Sequence, residues 1–232
     1  MDYVFEPPAR VTVPVAGQSG QFPVRRIYCV GRNYDAHARE MGFDPDREPP
    51  FFFCKPDNAI VVVPHGETVS IPYPQGTQDY QHEIELVVAI GRTGRDIAVE
   101  HALQYVWGYT VGLDMTRRDL QIQARDKGRP WELGKAFDQS APIAPLHTVA
   151  ELGHFERGEI WVTVDGETRQ RSDIAKLIWS VPEVIAHLSK YFELQPGDLI
   201  FTGTPEGVGK VKAGQTLHGG VAGLDELKLK VG

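Results

Sequence analysis

His82-Glu83-Ile84-Glu85-Leu86-Val87-Val88-Ala89-Ile90-Gly91 is the stretch whose reading decides the rest. Side chains along a strand repeat with period two, so His82, Ile84, Leu86, Val88 and Ile90 share one face and Glu83 and Glu85 share the other. Two neighbouring carboxylates repel each other and lose hydration when covered. They are stable together when a cation sits between them or one takes up a proton. Hard oxygen donors of this kind suit Mg²⁺, Mn²⁺ or Ca²⁺. A solvated face on a one-sided sheet is the plainer reading, since exposed glutamate is common. Which reading holds depends on what the remaining chain supplies.

The 232 residues, 41% hydrophobic and 24% charged, have the composition of a globular protein able to bury a sizeable core. A net charge of −7 gives no electrostatic footprint for nucleic acid. No basic segment followed by an apolar run opens the sequence, and the longest apolar runs, such as Ala59–Val63, are far too short to span a bilayer. Cys29 and Cys54 lie in or beside apolar runs and outside any Cys-x-x-Cys motif, which reads as buried, reduced thiols. The expectation is a cytoplasmic protein without membrane or nucleic-acid partners.

Working outward, residues 1–24 read as an N-terminal extension rather than a domain. Arg26–Val30 predicts a buried strand running into a polar segment, Gly31–Met41, that suits a short helix. Ala59–Val63, Thr68–Ile71 and Trp107–Leu113 predict strands, Thr116–Asp126 a helix stopped by Lys127-Gly128-Arg129-Pro130. Asp165-Gly166 after the alternating Ile160–Val164 is a hairpin signal. Ser180 with Glu183 forms a capping box ahead of the helical stripe Val181, Val184, Ile185, Leu188. Leu227, Leu229 and Val231 alternate with lysines, as in an edge strand. Many short strands with few scattered helices predict a β-rich α+β fold. Dinucleotide, nucleotide-phosphate and nucleophile-elbow motifs are absent, so covalent serine hydrolysis has no support.

Several residues bear on the glutamate pair. Asp114 closes an apolar strand, where it either adds a third oxygen donor or caps the following helix. His37 and Glu40, three apart, share a helical face, as a water-activating pair or a surface ion pair. Lys135, flanked by apolar and aromatic residues, either snorkels to water or holds an anion. Arg118 and Gln121 lie one turn apart and could bind a carboxylate, or form a solvated face. The loop Gly203–Gly209 could turn backbone N–H groups toward an anion.

Gly31-Arg32-Asn33-Tyr34 with His37 and Glu40, Lys55-Pro56, Glu83-x-Glu85, Gly112-Leu113-Asp114-Met115-Thr116-Arg117-Arg118-Asp119-Leu120-Gln121, Lys135 and Gly203-Thr204-Pro205 occur in this order. In order and spacing they resemble the fumarylacetoacetate hydrolase superfamily from about residue 25 to the end. Trp131–Pro142 and Ile178–Gly209 look most like its fumarylpyruvate hydrolases, while acylpyruvases and oxaloacetate decarboxylases share most of the motifs. The resemblance implies a mixed β-roll, a single catalytic domain over 25–232, a homodimer, and Mg²⁺ or Mn²⁺ held by Glu83, Glu85 and Asp114. It implies His37 and Glu40 as a water-activating dyad on a lid, and Lys135 facing a diketo acid substrate. Arg118, Gln121 and Thr204 would lie at the α-keto acid end. No residue is singled out for the far end of a fumaryl group; Arg25, Arg26 and Arg32 qualify only by charge.

Overall fold

The computed structural model describes residues 2–34 and 48–232. Its centre is an eight-stranded mixed sheet. Seven strands run in the order Phe51–Lys55, Arg26–Gly31, Asp198–Phe201, Ile84–Ile90, Val106–Leu113, Ala141–Ile143, Ile60–Val62, and His147–Thr148 pairs beside Val106–Leu113. A five-stranded sheet, Glu167–Asp173, Glu159–Val164, Thr216–Val221, Leu227–Val231 and Thr68–Ile71, packs against it. The protein is the β-rich, curled mixed-sheet fold that the sequence predicts.

Ile84–Ile90 is buried along its whole length, so the reading as a one-sided sheet with a wet face fails. Ile84, Leu86, Val88 and Ile90 join the core between the two sheets, with Ile160, Val162, Leu217, Leu227 and Leu229 opposite them. The helix Val181–Ser189 closes this core with the predicted stripe Val181, Val184, Ile185 and Leu188. Its capping box is formed: the Ser180 N–H donates to Glu183 Oε2 at 2.9 Å, satisfying an orphan donor of the first turn. Val87 and Ala89 point the other way, into a second core with Ile27, Cys29, Ile143, Leu199 and Phe201. Within the first 24 residues, Thr12–Pro14 and Gln21–Pro23 pair as a hairpin, and Val13, Phe22 and Val24 seal this second core.

The hairpin at Asp165-Gly166 is present, with positive φ at both residues (51° and 84°), the twist that a two-residue connection needs. Three expectations are corrected. Leu227–Val231 is not an edge, because Thr68–Ile71 adds a parallel partner beyond it; its lysines are exposed because one face is wet, not because the ladder ends. Thr116–Arg117 pairs with Tyr80–Gln81 as strand, so the helix begins at Arg118. Phe51–Lys55, whose triple phenylalanine shows no alternation, is a strand on the rim of the large sheet. That rim position leaves Cys54 exposed, while Cys29 is buried as expected. The predicted short helix over Gly31–Met41 lies mostly outside the described residues. Among the described residues no helix is long and apolar enough to cross a membrane.

Candidate metal and substrate site

Antiparallel pairing of Ile84–Ile90 with Val106–Leu113 sets Ile84 opposite Leu113 and Glu85 opposite Gly112. The Asp114 N–H then donates to the Glu83 carbonyl at 2.9 Å, which carries the strand-end carboxylate to the glutamate pair. Each of Glu83, Glu85 and Asp114 offers an oxygen within 4.8 Å of the others, and all three are buried. Asp114 is not a helix cap: Arg117 occupies that position, without a side-chain bond.

Three cations lie against the triad. Lys135 Nζ donates to Glu83 Oε2 at 2.8 Å and to Asp114 Oδ2 at 2.7 Å, so this lysine does not snorkel to water. Burial presses Lys135 toward the neutral amine, but the Asp114 and Glu83 carboxylates outweigh it and hold its pKa above the ordinary value. Arg118 donates to Glu83 Oε1 and Gln121 Oε1, and its Nε reaches Gln81 Oε1 at 2.9 Å. Lys55, to which the sequence reading gave no role, is the third. Its Nζ lies 2.8 Å from Asp114 Oδ1 and donates to the Lys135 carbonyl and to the Met115 carbonyl at 3.4 Å. The salt bridge to Asp114 is a close ionic contact without hydrogen-bond angles, since Asp114 Oδ1 has no hydrogen-bond partner among the described residues. In the sequence Lys55 stands only in the Lys55-Pro56 motif, just beyond three phenylalanines, and neither feature names its partner.

Glu85 differs from its neighbours. Burial, then the charges of Asp114 and Glu83, push its pKa well above the usual carboxylate range, and the Gly203 N–H (2.8 Å to Oε2) offsets this only in part. A dication beside it would favour the carboxylate, and three oxygen donors fixed by a sheet suit Mg²⁺ or Mn²⁺. The donor set therefore fits a divalent ion.

Gly203 is held by geometry. Its φ is +102°, and a Cβ there would stand 2.7 Å from Asn33 Cβ, so neither backbone nor space admits a larger residue. Asn33 fixes this corner through Nδ2 to the Thr202 carbonyl (2.8 Å) and Oδ1 from the Trp179 N–H (2.7 Å). Next in line, Thr204 Oγ1 donates to the Ile84 carbonyl at 2.8 Å and accepts from Gln170 Nε2 at 2.8 Å. Gln170 also accepts from the Ile84 N–H (3.2 Å), bonds His82 Nδ1 (2.9 Å) and donates to the Pro205 carbonyl (2.7 Å). This buried amide of the five-stranded sheet thus ties Thr204 to the glutamate strand. Its strand, Glu-Thr-Arg-Gln-Arg-Ser-Asp, reads as wholly exposed, so no pattern singled it out.

An open cavity ends on these groups. Glu83, Glu85, Asp114, Lys135, Arg118, Gln121 and Thr204 all line it, so the structure brings together seven of the nine expected site residues. His37 and Glu40 lie outside the described residues. Of the arginines considered for the far end, Arg32 lines the cavity. Arg25 is engaged with Asp198 at 3.0 Å and Arg26 with the Tyr28 hydroxyl at 3.1 Å.

Residues 26–232 match the family described as fumarylacetoacetate (FAA) hydrolase C-terminal. The chain belongs to the fumarylacetoacetate hydrolase family. Among solved structures of the family, a fumarylpyruvate hydrolase from Pseudomonas aeruginosa in complex with Mn²⁺ and pyruvate is 59% identical. It superposes with a TM-score of 0.98 over 99% of each chain. A fumarylpyruvate hydrolase from Ralstonia sp. is 47% identical across 82% of this chain and 96% of its own length. A mitochondrial oxaloacetate decarboxylase of Dictyostelium discoideum is 42% identical across 87% of this chain and 90% of its own.

Proposed function

We propose that this family member is a divalent-metal-dependent hydrolase that cleaves a carbon–carbon bond in a 2,4-diketo acid, with fumarylpyruvate giving fumarate and pyruvate. The observation that supports it is the buried Glu83–Glu85–Asp114 triad at the closed end of a cavity also lined by Lys135, Arg118, Gln121 and Thr204. The relative in complex with Mn²⁺ and pyruvate supports both a hard metal ion and a keto acid ligand. When bound, Mg²⁺ or Mn²⁺ supplies charge stabilisation for the pyruvate fragment as it departs.

Each side chain then has a task. Arg118 and Gln121, joined by their own hydrogen bond, present planar donors to the α-keto acid, the geometry that a carboxylate takes best. Thr204 adds a hydroxyl. Lys135 is kept charged by Glu83 and Asp114 and places a positive group where oxygen charge develops. His37, oriented by Glu40, takes a proton from water, whose oxygen adds to the carbonyl carbon of the fumaryl group itself. The bond to the three-carbon fragment breaks, its electron pair leaves with that fragment, and the proton held by His37 completes pyruvate. General-base help of this type is worth roughly 10²–10⁴-fold. His37→Ala should therefore lose that much activity while Mn²⁺ binding persists, and undiminished turnover would remove the dyad from the reaction.

A second reading has an observation behind it: the 42% identity to an oxaloacetate decarboxylase. Decarboxylation uses the same keto acid end and needs no added water. Pyruvate release from fumarylpyruvate, acetylpyruvate and oxaloacetate separates the two. We expect fumarylpyruvate to give the highest kcat/KM, and turnover of oxaloacetate alone would overturn the hydrolase reading. With this reading go a cytoplasmic homodimer and a place in gentisate-type aromatic breakdown.

A further inference from the structure

We infer that the outer end of the cavity, where Arg32 and Arg125 stand beside Phe51 and Trp131, binds the second carboxylate of an extended keto diacid. This rests on the hydrolase reading above and names the selectivity of that same site.

Two lines of residues connect the inner end to this outer end. The first is a helix face. Arg118, Gln121 and Arg125 are spaced i, i+3, i+7 on the helix Arg118–Asp126, so they share one side of it. All three line the cavity. Seven residues of α-helix rise about 10 Å, so Arg125 stands about that far along the helix from Arg118, which contacts the triad. An extended diacid spans such a distance; a short one such as oxaloacetate does not. The second line is a wall of rings. Lys135 Nζ lies 5.1 Å from the Phe53 centroid. Phe53 stands 5.7 Å from Trp131 and Trp131 5.3 Å from Phe51, the latter pair edge to face. The Arg32 guanidinium then sits 5.2 Å from the Phe51 centroid. A flat, conjugated acyl chain fits along such a wall, with a cation at each end.

The backbone serves the same arrangement. Arg32 is a non-glycine residue at φ +58°, an uncommon conformation that needs support from its surroundings. The preceding Gly31 lets the Phe51 ring lie where a Cβ would stand 2.0 Å from it. Arg125 also contacts its neighbour Asp126 at 2.9 Å. That exposed pair contributes little, and a guanidinium with five donors can serve a carboxylate as well. Burial, then the positive charge of Arg125, lowers the Arg32 pKa, with the Glu48 carboxylate acting the other way, so an anion beside Arg32 favours its charged form.

The test uses the Mn²⁺-loaded enzyme with Arg32→Gln, Arg125→Gln, the double variant and Arg125→Lys. With fumarylpyruvate and acetylpyruvate as substrates, each Gln variant should lower the fumarylpyruvate-to-acetylpyruvate ratio of kcat/KM by about tenfold or more, as loss of a charged hydrogen bond does. The loss should fall mainly in KM, with Arg125→Lys retaining part of the ratio. Calorimetric titration with 2-oxopimelate and its monoacid counterpart 2-oxoheptanoate, neither a 2,4-diketo acid, gives a readout independent of turnover. The wild type should prefer the diacid and the double variant should not. If the wild type cleaves neither diketo acid yet shows that arginine-dependent preference, the hydrolase reading falls and the subsite stands. Equal losses with both substrates, or a diacid preference that survives in the double variant, overturn the subsite.

Discussion

Glu85 lies on the same side of the strand Ile84–Ile90 as Val87 and Ala89, Glu83 stands just before that strand begins, and all four are buried, yet the acidic and apolar parts of this stretch do opposite things. The apolar half joins the second core with Ile143 and Phe201 and stabilises by leaving water. The acidic half is buried at a cost that three cations and the Gly203 N–H offset. Stability and function have been placed end to end on one short stretch of chain. The apolar half supplies the rigidity that lets the acidic half exist.

The largest effect that would sharpen this contrast is Glu85→Gln. It should lower kcat/KM with fumarylpyruvate by at least about 10³-fold, as several kcal/mol of charge stabilisation goes with the ion. Mn²⁺ binding by calorimetry should be lost with it. In chelator, the urea midpoint of this variant should equal or exceed that of wild type, since a buried charge among like charges is removed; a marked fall would mean the acidic half is structural after all. Lys55→Met tests the opposite sign. Breaking a buried pair by removing one partner costs about 3–5 kcal/mol, here measured by urea unfolding in chelator, and added Mn²⁺ should restore part of it. Leu86→Ala, on the core face of the same strand, should cost about 2–5 kcal/mol with Mn²⁺ affinity retained. Simultaneous loss of metal would show that the two halves are not separable. Smallest is Ser180→Ala, which removes half of a capping box. A loss of about 1 kcal/mol in thermal unfolding, with unchanged kcat, is expected.

What could be read in the sequence follows the range of each interaction. Alternation places Glu83 and Glu85 on one face, and a strand end places Asp114, because both are local periodic facts. The Asp165-Gly166 turn and the Ser180–Glu183 box are equally local. Lys55 escapes because its partner Asp114 is reached only through sheet pairing, and a phenylalanine triplet hides the strand that carries it. Gln170 escapes because its strand is polar throughout and only tertiary packing decides that this residue turns inward. The edge reading of Leu227–Val231 fails for a similar reason: its outer neighbour, Thr68–Ile71, lies far away in the chain. Arg125 was passed over because its spacing from Arg118 carries meaning only once the helix is seen to line a cavity.

The Gln170 amide has a mechanical consequence. It bonds the Ile84 N–H, His82, Thr204 and the Pro205 carbonyl at once, pinning the five-stranded sheet to the strand that bears the acids. The sheets cannot slide without breaking several buried bonds, so the chemical end of the cavity is stiff. The far end is built differently, from a rim strand and the last turn of a short helix. A protein so divided can exchange its outer residues and change the length or charge of the molecule it accepts, while the bond-breaking machinery stays in register.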